Sequence, residues 1–120
     1  MLLMEAPMSS PIEKRILDAT EKRMLAFGYR KVTMDEIARD LAMSKNTIYK
    51  YFAGKEEIAC SLVRRLQQQV TNNLDRIEKA QSDPLKIFSD SIFTLRKQLG
   101  PWFDRFFKEI SEELPDLWKD

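Results

Sequence analysis

A short basic stretch of the sequence, residues 41–55, carries the side chains best suited to hydrogen bonding with a polyanion. It contains three lysines and no acidic residue, although the whole chain has a net charge of only +1. Lys45, Asn46, Thr47 and Lys50 lie close together within it. Lysine can donate to guanine O6 or N7, asparagine can pair with adenine, and a threonine methyl group can touch that of thymine. This composition favours a surface that faces nucleic acid, whereas the charge alone would equally fit a solvated lysine face.

Charge is distributed unevenly along the 120-residue chain. Residues 1–55 carry ten Lys and Arg against seven Asp and Glu, a net charge of +3, and residues 56–120 carry ten against twelve, a net charge of −2. Hydrophobic residues make up 43% of the chain, which is enough for a packed core. The basic stretch therefore lies in the basic half of a folded protein, as expected when one part faces a polyanion.

The composition argues against an enzyme. The chain has no histidine and a single cysteine, Cys60, so Ser-His and Cys-His nucleophile pairs and metal sites built on histidine or clustered cysteine are excluded. No glycine-rich phosphate loop is present. Glu56-Glu57 and Glu112-Glu113 are neighbours in sequence, so the two carboxylates of each pair point to different sides of a helix. We expect no catalytic residue, no metal and no cofactor.

The sequence also lacks targeting and membrane signals. The first eleven residues, MLLMEAPMSSP, have no basic flank and no long apolar run, and no run approaches the roughly 18 apolar residues that span a bilayer. We expect a cytoplasmic protein without a membrane partner.

Apolar residues recur at helical spacing throughout, and no convincing alternating strand is present. A first helix is predicted after Ser10, with Pro11 in its first turn, and it ends at Gly28. Thr33 and Glu36 form a capping box that begins a second helix of about two turns. The inner face of the first helix is predicted to comprise Ile12, Ile16, Ala19, Thr20, Met24 and Phe27.

A third helix is predicted from its cap at Ser44 to about Tyr51, with only Ile48 and Phe52 pointing inward. A helix with so narrow an inner face and a polar outer face is typical of a recognition helix. Together with the second helix and the very short turn between them, it forms a candidate helix-turn-helix. The core of the first four helices is predicted to contain Ile16, Met24, Ile37, Leu41, Ile48, Phe52, Ile58 and Leu62.

The remaining sequence predicts further helices. A long fourth helix runs from Lys55 to about Gln81, and Pro84 opens a fifth that Gly100-Pro101 is expected to break. A sixth helix is predicted from the spacing of its phenylalanines, and Pro115 is predicted to open a seventh.

Residues 16–58 resemble, without a gap, the DNA-binding domain of TetR-family transcriptional regulators. The ordered set of residues that carries the resemblance comprises Gly28-Tyr29, Thr33, Glu36, Ile37-Ala38, Ser44-Lys45, Thr47-Ile48-Tyr49, Tyr51-Phe52 and Lys55-Glu56.

The resemblance implies a set of DNA contacts in and around the helix-turn-helix. Thr33 and Tyr49 are expected to meet phosphates, and Tyr51 is balanced between a backbone contact and packing. Lys55 opens the fourth helix, where a cation is unfavourable for the helix dipole, and a phosphate bound there would compensate for this. Asn46, Lys50 and Tyr51 depart from the residues common in the family, so the resemblance does not transfer an operator sequence. The full set of expected DNA-binding residues is Thr33, Ser44, Lys45, Asn46, Thr47, Tyr49, Lys50, Tyr51 and Lys55.

For the C-terminal part, the resemblance implies a domain that binds an effector and dimerises. The aromatic stripe there could be core, and it could also line an effector pocket formed by Phe88, Ile92, Trp102, Phe103 and Phe106. The helices that usually build the family's dimer interface would lie beyond Asp120, so we expect a truncated or abbreviated chain. Phe103, Phe106 and Phe107 are then expected to be partly uncovered.

The sequence therefore predicts an all-α fold: an N-terminal arm (1–11), a three-helix DNA-binding domain with a helix-turn-helix (12–57), and the start of a C-terminal helical domain (58–120), beginning with a long linking helix and left incomplete. The expected function is that of a sequence-specific regulator, a ligand-released repressor on a palindromic operator. Expected partners are double-stranded DNA, a small-molecule effector and, in a full-length form, a second copy of the chain. The alternative is a helical protein-interaction module that uses exposed C-terminal aromatics.

Overall fold

The computed structural model describes residues 10–114, and every regular element in that range is an α-helix. The helices are α1 (Pro11–Phe27), α2 (Met34–Leu41), α3 (Lys45–Tyr49), α4 (Lys55–Ala80), α5 (Pro84–Asp104) and α6 (Phe106–Glu113). The predicted all-α fold is confirmed. The seventh helix predicted at Pro115 and most of the predicted N-terminal arm lie outside these residues. Among the helices described, none is both long and apolar enough to cross a membrane.

The beginnings of the first two helices are fixed by side-chain caps. The Ser10 hydroxyl accepts the Glu13 backbone N–H at 3.1 Å, and the Glu13 carboxylate accepts the Ser10 N–H at 3.3 Å. Thr33 and Glu36 make the same reciprocal pair at 3.2 and 3.0 Å. Because each cap satisfies backbone donors that have no partner inside the helix, both helices begin where the capping residues predict.

The helices enclose one apolar core. All eight residues predicted for the core of the first four helices are buried, and Trp102, Phe106 and Ile110 of α5 and α6 join the same cluster. Phe27 was expected on the inner face of α1 but is 48% exposed, and its ring lies beside the Arg23 guanidinium at 5.9 Å. Attraction of the cation to the ring face gives this aromatic a favourable position at the surface.

Two predicted helix ends are wrong. The third helix ends at Tyr49 rather than near Tyr51, because the Tyr51 N–H bonds to the Ile48 carbonyl, three residues back, in a tighter turn. The fifth helix does not break at Gly100-Pro101 but continues to Asp104.

The continuation past Pro101 follows from the burial of the next residue. Proline costs a helix about 3 kcal/mol because it lacks an N–H and crowds the preceding turn. Trp102 is buried against Phe106, with ring centroids 5.0 Å apart in an edge-to-face arrangement. Burial and aromatic contact of this kind stabilise by a comparable amount, so packing outweighs the local signal. As a result α6 begins only at Phe106.

Contacts that we call the α6 clasp join α6 to the loop between α1 and α2. The Glu109 carboxylate accepts the Arg30 backbone N–H at 2.7 Å, and the Arg30 guanidinium pairs with Glu112 and Glu113. Arg105, immediately before α6, donates to the Phe27 carbonyl at 3.3 Å. The clasp therefore connects two segments about eighty positions apart in the sequence.

Gly28 makes this close approach possible. Its φ of +89° is a conformation that L side chains rarely adopt. A Cβ atom there would lie 2.6 Å from Arg105 Cδ and 2.8 Å from a Glu109 carboxylate oxygen. Glycine is thus required both by the backbone and by the side chains packed over it.

We expect Gly28→Ala to lower the free energy of unfolding by at least about 1 kcal/mol, because it adds backbone strain and displaces the clasp. Gly100→Ala is the matched control: it lies within α5, nothing is within 4 Å of its added Cβ, and helix propensity predicts a gain of about 0.5–1 kcal/mol. Denaturant unfolding of both variants measures the difference. Equal effects of the two substitutions would contradict this account.

Candidate nucleic-acid interface

The recognition helix α3 has only five residues and is held by very few groups. Ile48 is completely buried, and the Ser44 hydroxyl caps the helix by accepting the Thr47 N–H at 3.1 Å. The sharp turn before it uses Ala42 in the left-handed conformation, with φ 53° and ψ 46°. The Met43 N–H bonds to the Ala38 carbonyl and so closes α2. These contacts leave the opposite side of α3 free of packing.

The outward side of α3 presents the polar residues that the sequence predicted. Lys45, Asn46 and Lys50 are exposed, and Tyr49 is 46% exposed. Throughout residues 10–114, the side chains of Asn46 and Lys50 meet no hydrogen-bond or ion-pair partner. Their donors and acceptors are therefore available to base edges.

Three other polar side chains of this region, those of Ser44, Thr47 and Lys45, are already paired. The Ser44 and Thr47 hydroxyl oxygens lie 2.9 Å apart and share a hydrogen bond. Lys45 Nζ lies 2.9 Å from Asp35 Oδ1 in the first turn of α2. Asp35 was not predicted from the sequence, because no periodicity or motif links a residue at the start of one helix to a residue at the start of the next.

Thr33 lies exposed at the start of α2, and its hydroxyl accepts the Glu36 N–H. A hydroxyl that accepts one hydrogen bond still has its own proton to donate. Its place at a positive helix end suits an anion, so the expected phosphate contact is compatible with the cap.

Lys55, expected to meet a phosphate at the start of α4, has partners within the protein. Its ammonium donates to the Tyr29 carbonyl at 2.9 Å and to the Arg30 carbonyl at 3.3 Å, and it lies 4.2 Å from the centroid of the Tyr29 ring. Burial lowers the pKa of Lys55, opposed by the charges of Glu113 and Glu109. These two carbonyls therefore compensate for the unfavourable position of the Lys55 ammonium at the positive end of α4. One ammonium N–H remains for a phosphate.

Tyr51 is half-buried and packs against the core. Its position therefore favours packing over a contact with the DNA backbone.

The five residues expected to form an effector pocket do not surround one cavity. Phe88, Ile92 and Phe103 are 67%, 50% and 63% exposed, whereas Trp102 and Phe106 lie in the core. Phe106, expected to be partly uncovered, is fully buried because α6 packs it against Trp102. Ile92 and Phe103 instead border a surface depression of about 350 Å³ with Leu95, Arg96, Leu99 and Gly100.

The region around α3 is similar in sequence to known bacterial regulatory proteins. Residues 16–61 match the family described as "Bacterial regulatory proteins, tetR family". The chain is 35% identical over 68 residues to the uncharacterized HTH-type transcriptional regulator YhgD of Bacillus subtilis (strain 168), covering 57% of this chain and 36% of that protein. It is 34% identical over 76 residues to YvkB of the same organism, covering 63% and 39%. The chain thus spans less than half the length of these curated relatives.

Two solved structures share the fold. The fatty acid degradation regulator FadR from Bacillus halodurans superposes with a TM-score of 0.65 at 23% identity, covering 94% of this chain and 63% of that one. The ketosteroid transcriptional regulator KstR2 of Mycobacterium tuberculosis superposes with a TM-score of 0.71 at 18% identity, covering 95% and 64%. At these identities the likeness shows the fold alone.

We expect Lys55→Met to lower the free energy of unfolding by about 1–3 kcal/mol, because two backbone carbonyls lose a charged donor while the apolar stem is kept. The matched control is Lys50→Met, whose side chain is exposed and has no described partner, and whose effect should stay within about 0.5 kcal/mol. Thermal or denaturant unfolding measures both. If Lys55→Met proved neutral, the structural role of this ammonium would be disproved.

Proposed function

We propose that the chain is a sequence-specific, DNA-binding transcriptional regulator of the TetR type, because residues 16–61 match that family of bacterial regulators. The observation that carries the proposal is the outward face of α3, where Asn46 and Lys50 have no described partner although buried Ile48 holds the helix in place. A surface of this kind matches what the major groove requires of a recognition helix.

In the proposed complex α3 enters the major groove, and the residues on and around it contact either bases or phosphates. Asn46 and Lys50 read base edges, while Thr33, Tyr49 and the free N–H of Lys55 contact phosphates. Phosphate contacts fix the position of the helix but carry no base information. The net charge of +3 on residues 1–55 supports attraction to the duplex.

We further propose that the chain acts as a repressor released by a small-molecule effector, and that two copies engage a palindromic operator. For both copies to dock, their recognition helices must lie about 34–36 Å apart or at a multiple of that distance. The α6 clasp supports this scheme, because it ties α6 to the loop whose carbonyls accept the hydrogen bonds of Lys55 at the start of α4. A shift of α6 would then change the tilt of the DNA-binding helices. The division into residues 12–57 and 58–120 is part of this proposal, as is a cytoplasmic location, where bacterial DNA lies.

One observation favours a second function, that of a protein-interaction module. Leu85, Phe88, Phe93 and Phe103 of α5 are all more than 60% exposed. Apolar side chains exposed together on one helix are common at sites where another protein docks.

Binding to duplex DNA separates the two functions. For a DNA-binding regulator, the logarithm of the association constant falls linearly with the logarithm of the salt concentration, at about 0.9 per phosphate neutralised. Fluorescence anisotropy with a labelled duplex of random sequence, over a salt series, measures this slope. A chain that fails to bind at low salt contradicts the proposal and favours the interaction module.

Lys50→Ala tests base reading itself. Loss of a base contact is expected to cost about 1–3 kcal/mol at one position of the preferred sequence and to relax the choice of base there. Lys86→Ala on α5 is the control, because it removes the same charge from an exposed site on a different helix. Binding-site selection with both variants is the measurement. An unchanged preference for Lys50→Ala would remove this residue from the interface.

A further inference from the structure

The ion pair between α2 and α3 places an acidic group on a surface otherwise suited to a polyanion. Lys45 Nζ and Asp35 Oδ1 are 2.9 Å apart, and the two side chains are 48% and 67% exposed. The hydrogen bond from Lys45 lowers the pKa of Asp35, and the same bond raises the pKa of Lys45. Both groups are therefore charged at neutral pH, and the pair faces outward at the starts of two helices.

Folding stability accounts for only part of this arrangement. Asp35 lies in the first turn of α2, where the helix dipole favours an acid, but Glu36 already supplies one there and completes the cap. The exposed ion pair itself contributes weakly to folding, and a carboxylate beside the recognition helix repels phosphates. The pair does, however, present a donor and an acceptor side by side next to α3.

The pair is complementary to the edge of a G·C base pair. Guanine O6 is an acceptor and the cytosine N4 amino group is a donor, and the Watson–Crick N–H···O bond between them spans about 2.9 Å. Lys45 Nζ and Asp35 Oδ1 have the same separation with the opposite order of donor and acceptor. The ammonium can donate to O6 while the second N4 proton is donated to the carboxylate.

An A·T pair fits this unit less well. It offers thymine O4 as acceptor and adenine N6 as donor, but the thymine acceptor lies beside a C5-methyl group. Guanine adds N7 next to O6, so the ammonium meets two acceptors on one base instead of one. The geometry thus favours G·C, with lysine on guanine and aspartate on cytosine.

We propose that Asp35 and Lys45 act as one reading unit that selects a G·C pair in the sequence contacted by α3, with Asp35 as a specificity-determining residue. This inference rests on the proposed DNA-binding function. It has a second consequence: Asp35 holds Lys45 away from phosphates, so it lowers affinity for DNA of arbitrary sequence while sharpening the choice of base.

The test uses the 120-residue chain in binding-site selection and in a salt series on a random duplex, with Asp35→Ala and Asp35→Asn compared with wild type. The control is Asp75→Ala, because Asp75 also forms an exposed ion pair, with Lys79 at 3.0 Å, but lies 20 residues along α4, about 30 Å from the start of that helix. Asp75→Ala makes the same change in net charge as Asp35→Ala, at a distant site. An unfolding curve is measured for each variant, and Asp35→Asn is used for the test if Asp35→Ala does not fold.

We expect wild type to require a G·C pair at one position, and Asp35→Ala to reduce that preference about tenfold or more. Both Asp35 variants should bind the random duplex several times more tightly, with a salt slope steeper by about 0.9, because the released Lys45 neutralises one further phosphate. Asp35→Asn retains an acceptor oxygen and should keep part of the preference. Asp75→Ala should change neither quantity.

The possible failures are distinguishable. If Asp35→Ala binds DNA with the same base preference and the same salt slope as wild type, the reading unit is wrong and the proposed function stands. If wild type and all variants fail to bind duplex DNA at low salt, the proposed function is wrong and the inference falls with it.

Discussion

A helix of five residues has too few backbone hydrogen bonds to persist in water by itself, and α3 depends on its surroundings for its existence. Ile48 supplies most of that support, because its side chain is completely buried among the first four helices. Phe52 follows one turn later and is also buried. Since the inner side of α3 is occupied by this anchor alone, the rest of its surface is available for hydrogen bonding. The burial of one isoleucine thereby sets the position of the base-reading groups on and directly after α3, whereas Asp35 is positioned by α2.

The loop between α1 and α2 is the second point on which the structure depends. Lys55 at the start of α4 donates to the carbonyls of Tyr29 and Arg30, and Glu109 of α6 accepts the Arg30 N–H. The same short segment is thus held from two directions, by the helix that follows α3 and by the helix near the end of the described chain. Gly28 allows this because no Cβ stands between the loop and α6. In the proposed regulator, this is the shortest physical connection between the C-terminal helices and the DNA-reading surface.

Features that depend on neighbours in sequence were predictable, and features that depend on distant residues were not. The caps at Ser10, Thr33 and Ser44 and the helical spacing of the core residues are local signals, and the structure confirms them. Pro101 gave an equally clear local signal that proved wrong, because burial of the following tryptophan outweighed it. The partners of Lys55 and the contact of Arg30 with Glu109, 79 positions away, leave no pattern in one sequence. The burial of the aromatic residues of α5 was not predictable for the same reason, since helical spacing alone does not show which face of a helix packs against other helices.

The central claim is that α3, rather than the aromatic face of α5, is the surface that meets the partner. Backbone amide NMR of the 15N-labelled chain, recorded while a DNA duplex is added at low salt, tests this residue by residue. The account predicts that the signals of residues 44–50 and of the first turn of α2 shift progressively, while those of Phe88 and Phe93 stay in place. Shifts confined to α5, or none at all at saturating duplex, would contradict it.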